Sequence, residues 1–278
     1  MKLRRGGRNV SRVFLFYCHT SGRSGDKTKF FGQHSFMIKR FPYKSMLAAV
    51  ALALLGFFFY PSFEIARLWY DVIGVDVSHH QGSIDWQKLK RDGISFAYIK
   101  ATEGGDFVDP LFKINWDASL SADMATGAYH FFTQCKSGSE QAANFIKSVP
   151  LDQRSLPPVL DAEQLDCKGN PSSFDTVNEI NSFLNVVETH FGCRPIIYTT
   201  PDFETAFLQG KLTNETYWPR SIFWPPGYRK ESWKFWQYHF AGRRDGVEGP
   251  VDLDAFRGSS AEFDKFRQDA KCGATKLP

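Results

Sequence analysis

Between Ile73 and Thr200 five short apolar runs are separated by longer polar or amphipathic stretches, and this rhythm constrains the fold more than any other feature. The runs 73–78, 94–102, 126–132, 157–163 and 194–200 are apolar almost throughout, as strands buried on both faces are. The stretches between them have helical spacing. Residues 84–91 predict a short helix closed by Gly93, and 110–122 a helix with Leu111, Ile114, Ala118 and Ala122 on one face. Residues 139–149 predict a helix capped by Ser139. Residues 172–191 predict a longer helix with Phe174, Val177, Ile180, Phe183, Leu184 and Val187 in one buried stripe. After residue 200 the rhythm fails. Residues 221–224, 233–240 and 249–256 read as strands with little helix between them, and 261–269 as a closing helix. Alternation of this kind implies a parallel sheet covered by helices. Eight strands in about 200 residues favour a small closed α/β barrel over an open doubly wound sheet. No G-x-G-x-x-G follows a strand, so a dinucleotide fold has no support.

Charge divides the chain. Residues 1–45 hold 11 Lys and Arg against one acid (Asp26), a net +10; the rest holds 23 against 29, a net −6. The folded part is thus mildly acidic, which argues against a nucleic-acid partner. The apolar run 46–60 follows Lys39, Arg40 and Lys44 and is closed by Pro61. It is short for a spanning helix but suits a signal peptide or a short signal anchor over 46–66, with the remaining chain exported. No small-x-small cleavage site follows, which favours an anchor. Met37 opens an ordinary n-region, so residues 1–36 read as an over-extended start.

In a parallel barrel the active site lies at the carboxyl ends of the strands. Acids recur there: Asp76 after the first run, Glu103 after the second, Asp161 and Glu163 in the fourth, and Asp252 and Asp254 late in the chain. Asp161 and Glu163 are strand positions i and i+2, on one face and about 6.6 Å apart along the strand. An isolated Asp-x-Glu is commonly a solvated strand edge, but this pair ends an apolar strand among others that end in acids. Two carboxylates on one face suit glycosidic cleavage. One keeps its proton as general acid, and the other steadies the developing positive charge. Tyr129, Tyr198, Trp236 and Tyr238 could stack on sugar rings. His79, His80, His130 and His239 form no metal-binding spacing, and Ser78 has no nucleophile elbow.

GVDVSHHQGSIDW (74–86), FAYIKATEG (96–104), GAYHFF (127–132), PVLDAE (158–163), PIIYT (195–199), FWQYH (235–239) and GPVDLDAF (249–256) together resemble the glycoside hydrolase family 25 lysozymes, the Chalaropsis-type muramidases. The resemblance covers about residues 71–270. It implies an irregular (β/α) barrel of five β/α units followed by about three strands. It implies a muramidase that cuts the β-1,4 bond between N-acetylmuramic acid and N-acetylglucosamine, with peptidoglycan glycan strands as partner, no cofactor or metal, and a monomer. The family's motifs place the proton donor at Glu163 and the group that assists the substrate's N-acetyl at Asp161. Asp76 and Asp252 fall on its other acidic positions, and Glu103, Tyr129, Tyr198, Trp236 and Gln237 on its groove.

Two departures stand out. The stretch expected to carry a hydrophobic-Trp-x-Ala strand reads Pro219 to Pro226 here, and Asp254 stands where Asn is common. The first leaves open a barrel that binds an amino-sugar polymer without cutting it. A chitin-directed enzyme is disfavoured, because the D-x-x-D-x-D-x-E run is absent. Of the five cysteines, Cys18 lies in the tail, and the other four allow three connectivities. In the barrel implied by the resemblance, Cys135 and Cys167 follow adjacent strands at one end, while Cys193 and Cys272 lie at the other. That placement suggests the pairs Cys135–Cys167 and Cys193–Cys272.

Overall fold

The computed structural model describes residues 43–58, 65–152, 155–170, 173–222, 224–270 and 272. The chain divides into two units, residues 1–45 and 46–278, and only residues 43–45 of the first are described. The basic tail therefore lies almost wholly outside the described residues. Helix α1 (Tyr43–Phe58) takes up most of the apolar run but is 16 residues long, about 24 Å. Among the described residues no helix is long and apolar enough to cross a membrane.

The second unit is built around one nine-stranded sheet, β1 (Ile73–Val77), β2 (Phe96–Glu103), β3 (Phe107–Val108), β4 (Ala125–Phe131), β5 (Val159–Ala162), β6 (Ile196–Thr199), β7 (Tyr217–Pro219), β8 (Phe235–Gly242) and β9 (Val251–Phe256). The order is β7-β6-β5-β4-β2-β1-β9-β8, with β3 a hairpin partner of β2. All pairings from β1 round to β7 are parallel, and β9 is antiparallel to both β1 and β8. Parallel bridges Tyr217–Trp233 and Arg220–Gln237 join the two ends, so the sheet closes almost completely into a barrel.

Helices α2 (Trp86–Arg91), α3 (Phe112–Ser121), α4 (Gly138–Ser148) and α5 (Thr176–Phe191) follow β1, the β2–β3 hairpin, β4 and β5. A fifth helical segment, α6 (Pro201–Phe203), runs into a π-turn at Glu204–Leu208 after β6. Helix α7 (Ser260–Ala270) closes the chain. These are the five β/α units and final strands expected from the sequence. Two boundaries differ. Ser137, not Ser139, caps α4 by accepting the Glu140 N–H. Asp175 caps α5, so Phe174 precedes the helix and is exposed, while Ile180, Phe183, Leu184 and Val187 form the buried stripe.

Two cores result. The larger lies between the barrel and its helices, and includes His130, which stacks on Phe183 with its two ring nitrogens on Thr102 and Gln141. The smaller fills the barrel itself with Phe96, Tyr98, Trp218, Phe235 and Phe256, ring against ring at 4.9 to 5.8 Å, and Phe263 of α7 stops its lower end. Glycine makes room for these rings. A Cβ on Gly74 would lie 2.3 Å from the Phe96 ring, and one on Gly127 would lie 2.2 Å from Tyr98. Disulfides join Cys135 to Cys167 and Cys193 to Cys272, the former between the loops that follow β4 and β5.

The sixth strand corrects the sequence reading. It lies at Tyr217–Pro219, upstream of the expected 221–224. The Ile222 side of that stretch looked like a strand because it is apolar. The ladder instead runs through Tyr217, whose N–H bonds Ser232 O and whose carbonyl accepts from Lys234. Past Pro219, which has no N–H to offer, the pairing continues only as the Arg220 N–H to Thr199 O and the isolated Arg220–Gln237 bridge.

Candidate active site

Alternation along each strand carries the barrel interior from apolar to polar. Inward rows read Phe96–Tyr98–Lys100 on β2, Val159–Asp161–Glu163 along and just past β5, Ile196–Tyr198 on β6, Trp218–Arg220 at β7 and Phe235–Gln237 on β8. Strand β9 runs the other way, so its row reads Asp252–Asp254–Phe256 toward the floor. The polar ends surround a cavity of about 300 Å³ lined by Asp76, Tyr129, Asp161, Glu163, Tyr198, Gln237 and Asp252 among others.

Asp76 sits at the hub. Its Oδ2 accepts a hydrogen bond from Gln237 Nε2 at 2.9 Å, and Gln237 Oε1 in turn accepts from the Tyr198 hydroxyl at 2.9 Å. Burial pushes the Asp76 carboxyl up to about 6 against the pull of hydrogen bonds from Gln237, Asp254 and Asp252. Burial, then the Asp76 charge, pushes Asp252 up to about 9. Asp254 is fully buried, and its Oδ1 accepts from Trp218 Nε1 at 3.1 Å. Burial holds it well above the carboxylate range, so it keeps its proton.

Asp161 and Glu163 share the cavity but not its depth. Asp161 is 9% exposed, and its buried Oδ1 has no hydrogen-bond partner. The Glu163 side chain is 30% exposed, with Arg220 Nη1 3.6 Å from its Oε2. Burial raises both acids. The Glu163 charge raises Asp161 further, while Arg220 and Lys100 pull Glu163 down. Of the two, Asp161 therefore holds its proton more firmly.

Three residues expected to meet the sugar, Trp236, Glu103 and the fully buried Tyr238, do not line the cavity. Trp236 points outward, because Gln237 takes the inward position on β8. It is buried instead against Trp69, Tyr70 and Tyr238. Glu103 stands behind Lys100, which it holds at 2.7 Å; the β2–β4 register shifts between Lys100 and Thr102 and sets Glu103 opposite Phe131. Among residues that were not singled out, Lys100, Phe131, Trp218, Arg220 and Phe240 line the cavity.

Comparison with known proteins agrees with this geometry. A model of the family described as "Glycosyl hydrolases family 25" matches residues 75–247. The chain belongs to glycosyl hydrolase family 25. Relatives include YegX of Escherichia coli K12, 37% identical over 71% of this chain and 74% of that protein. Lysozyme M1 of Streptomyces globisporus is 36% identical over 69% and 70%. Among solved structures, a family 25 glycosyl hydrolase from Bacillus anthracis superposes with a TM-score of 0.68 at 34% identity, covering 74% of this chain and 97% of that one. A bacterial lysozyme from Streptomyces coelicolor gives 0.64 at 35%, covering 72% and 98%.

Within family 25 the departure noted at 219–226 becomes specific. Tyr217-Trp218-Pro219-Arg220 supplies the hydrophobic-Trp-x pattern in the sixth strand, and Arg220 occupies the place of the small residue. A guanidinium thus enters the mouth where a methyl group was expected. The trace of it in the sequence was a Trp two residues before an Arg, hidden by the intervening proline.

Proposed function

We propose that the chain, a glycoside hydrolase as a member of family 25, is a muramidase that hydrolyses the β-1,4 bond between N-acetylmuramic acid and N-acetylglucosamine in peptidoglycan. The observation that carries this reading is the Asp161–Glu163 pair, with a buried Asp161 oxygen that lacks a donor. The amide N–H of a 2-acetamido sugar is such a donor. Bound to Asp161, it favours the carboxylate form and turns the acetamido oxygen toward the anomeric carbon.

In this reading Glu163 protonates the leaving glycosidic oxygen while the acetamido oxygen forms the new bond to the anomeric carbon. The resulting cyclic cation loses its N–H proton toward Asp161; water then attacks the anomeric carbon with Glu163 as base, and Asp161 returns the proton to the acetamido nitrogen as the ring opens. The inversion of proton affinity that this needs follows from binding. Glycan covers Glu163 and expels water from it, while Asp161 gains a donor. Asp76, with Asp252 and Asp254, holds Gln237 and through it Tyr198 against the sugar ring. The name of lysozyme M1 supports the substrate class.

The full chain incubated with purified peptidoglycan, followed by borohydride reduction, should yield new muramitol ends. Glu163→Gln should lose about 10²–10⁴ in rate. Glucosaminitol ends would assign the other glycosidic bond, and polymer binding without new ends would make the barrel a binding protein.

The two disulfides suit an oxidising compartment outside the cytoplasm. We place the protein at the cell envelope, tethered or exported through the apolar run 46–60. A protein released from membranes by alkaline carbonate, with its mature amino terminus beyond residue 60, would show export without a tether.

A further inference from the structure

Arg220 is the group in the cleft for which the catalytic scheme above has no use. Its backbone is fixed on both sides. The N–H bonds Thr199 O at 2.9 Å, and the carbonyl accepts from the Tyr228 hydroxyl at 2.9 Å. The guanidinium is not engaged in the same way. Its approach to Glu163, 3.6 Å, is an attraction between charges beyond hydrogen-bond reach, and the group is 38% exposed. Other arginines show the contrast. Arg194 makes two bonds to Glu215, at 2.9 and 2.7 Å, and others to Asn185 and Glu188. Arg229 bonds Glu204 and Leu208 O and lies over the Tyr217 ring. Lys100, the second cation of the cleft, is held by Glu103. Arg220 therefore brings a planar set of donors to the cavity wall, of the geometry that grips a carboxylate with two parallel bonds.

We propose that Arg220 recognises a carboxylate carried by the muramyl side chain of the glycan, and that this carboxylate draws the guanidinium away from Glu163. The inference rests on Glu163 being the general acid. The lactyl ether of a muramyl residue ends in a carboxylate where its peptide has been removed. Where the peptide remains, it carries carboxylates further out. Either source offers the same chemistry, and a polymer of N-acetylglucosamine alone offers neither. Engagement also arms the acid. Glu163 faces Asp161 on its own strand, Tyr198 on β6, Lys100 on β2, Asp76 on β1 and Asp252 on β9. Arg220 is the first among the charges that lower its proton affinity. Neutralising that cation with a substrate carboxylate lets Glu163 hold its proton to higher pH in the complex than in the free enzyme.

The test uses the full chain and changes the substrate first. Peptide-free glycan with free lactyl carboxylates is compared with the same glycan converted to methyl amides, and peptide-bearing peptidoglycan with its methyl-amidated form. For the wild type, amidation of the recognised carboxylate should lower kcat/KM roughly ten- to hundredfold, the worth of one charge-assisted hydrogen bond. A loss confined to the peptide-free pair identifies the lactyl carboxylate, and one confined to the other pair identifies the peptide. In Arg220→Ala the same conversion should change kcat/KM less than twofold, with part of the discrimination restored in Arg220→Lys. On the carboxylate-bearing glycan the basic limb of kcat should lie at higher pH than that of kcat/KM, and the gap should be narrower on the amidated glycan, where only desolvation by the glycan remains. In Arg220→Ala the kcat/KM limb should move to higher pH, a change that a structural arginine would not produce. Equal sensitivity to amidation in wild type and Arg220→Ala, or none in the wild type, would overturn the inference. An undiminished Glu163→Gln enzyme would instead overturn the reading on which it rests.

Discussion

The floor and the mouth of the barrel are made by the same strands, often two residues apart, yet they are opposite environments. Below, Phe96, Tyr98, Trp218, Phe235 and Phe256 interlock with no charged group among them. Above, four carboxyls share a space with two cations, and burial drives every one of the acids up. The rings stabilise the fold through area and packing, whereas the acids bring repulsion and desolvation into it. The comparison teaches where stability and chemistry part company: one step along an inward row, Val159 to Asp161 or Phe235 to Gln237, moves a side chain from one to the other.

The sharpest way to break that division is a reciprocal pair of substitutions. Phe235→Ala empties the centre of the plug, where the ring meets Phe96, Tyr98, Trp218 and Phe256. It should cost about 3–5 kcal/mol in urea unfolding. Glu163→Gln removes a carboxyl that burial penalises, and should leave the urea midpoint unchanged or raised while activity collapses. A Glu163→Gln protein destabilised as much as Phe235→Ala would show that the acids carry the fold after all.

The division also explains what could be read in advance. Five apolar runs and their helices were legible because short, nearly continuous apolar runs differ plainly from the longer stretches of helical spacing between them. The four acids Asp76, Asp161, Glu163 and Asp252 were legible because parallel strands of a barrel end at one mouth. Parity was harder. The β8 run Phe-Trp-Gln-Tyr-His is buried on both faces, so Trp236 and Gln237 looked alike until the inward row was fixed by neighbouring strands. Glu103 was misjudged because Lys100 takes the place at the cavity and Glu103 holds it from behind, a pairing that no local pattern marks. Arg220 was missed because its strand is three residues long and ends in proline, beside a more apolar stretch that forms no strand.

Trp218 joins the two regions, and replacing it sharpens the boundary between them. Its ring belongs to the plug, while its N–H bonds Asp254 Oδ1 inside the acid network. Trp218→Phe keeps a ring in the floor but strands a buried acceptor, a cost of about 1–3 kcal/mol. It should also move the pH dependence of activity through Asp254 and Asp76, which Phe235→Ala should not do in molecules that remain folded. A pH profile identical to the wild type would confine Trp218 to the plug.

The smallest effect is in the pH dependence of stability, and its sign separates the mouth from the rest of the molecule. Asp252 and Asp76 are raised on folding to about 9 and about 6, first by burial. Their unfolded carboxyls titrate near ~3.9. Between those limits the native state binds protons that the unfolded state has released, so each acid makes stability fall as pH rises. His130 works the other way. Burial lowers it to about 3, so it makes stability rise with pH up to its unfolded value of about 6.5 and adds nothing above that. The window from about pH 6.5 to 9 is thus left to Asp252 and to the two acids raised well above the carboxylate range, Asp161 and Asp254, after Asp76 has ionised. Thermal unfolding of the wild type should show a falling Tm across that window. Asp252→Asn, which is neutral throughout, should make the slope there shallower by the share of one proton and leave the remainder to the other buried acids of the mouth. A Tm that climbs from pH 6.5 to 9 in the wild type, or a slope untouched in Asp252→Asn, would mean that the proton held against burial in the mouth resides elsewhere than on Asp252.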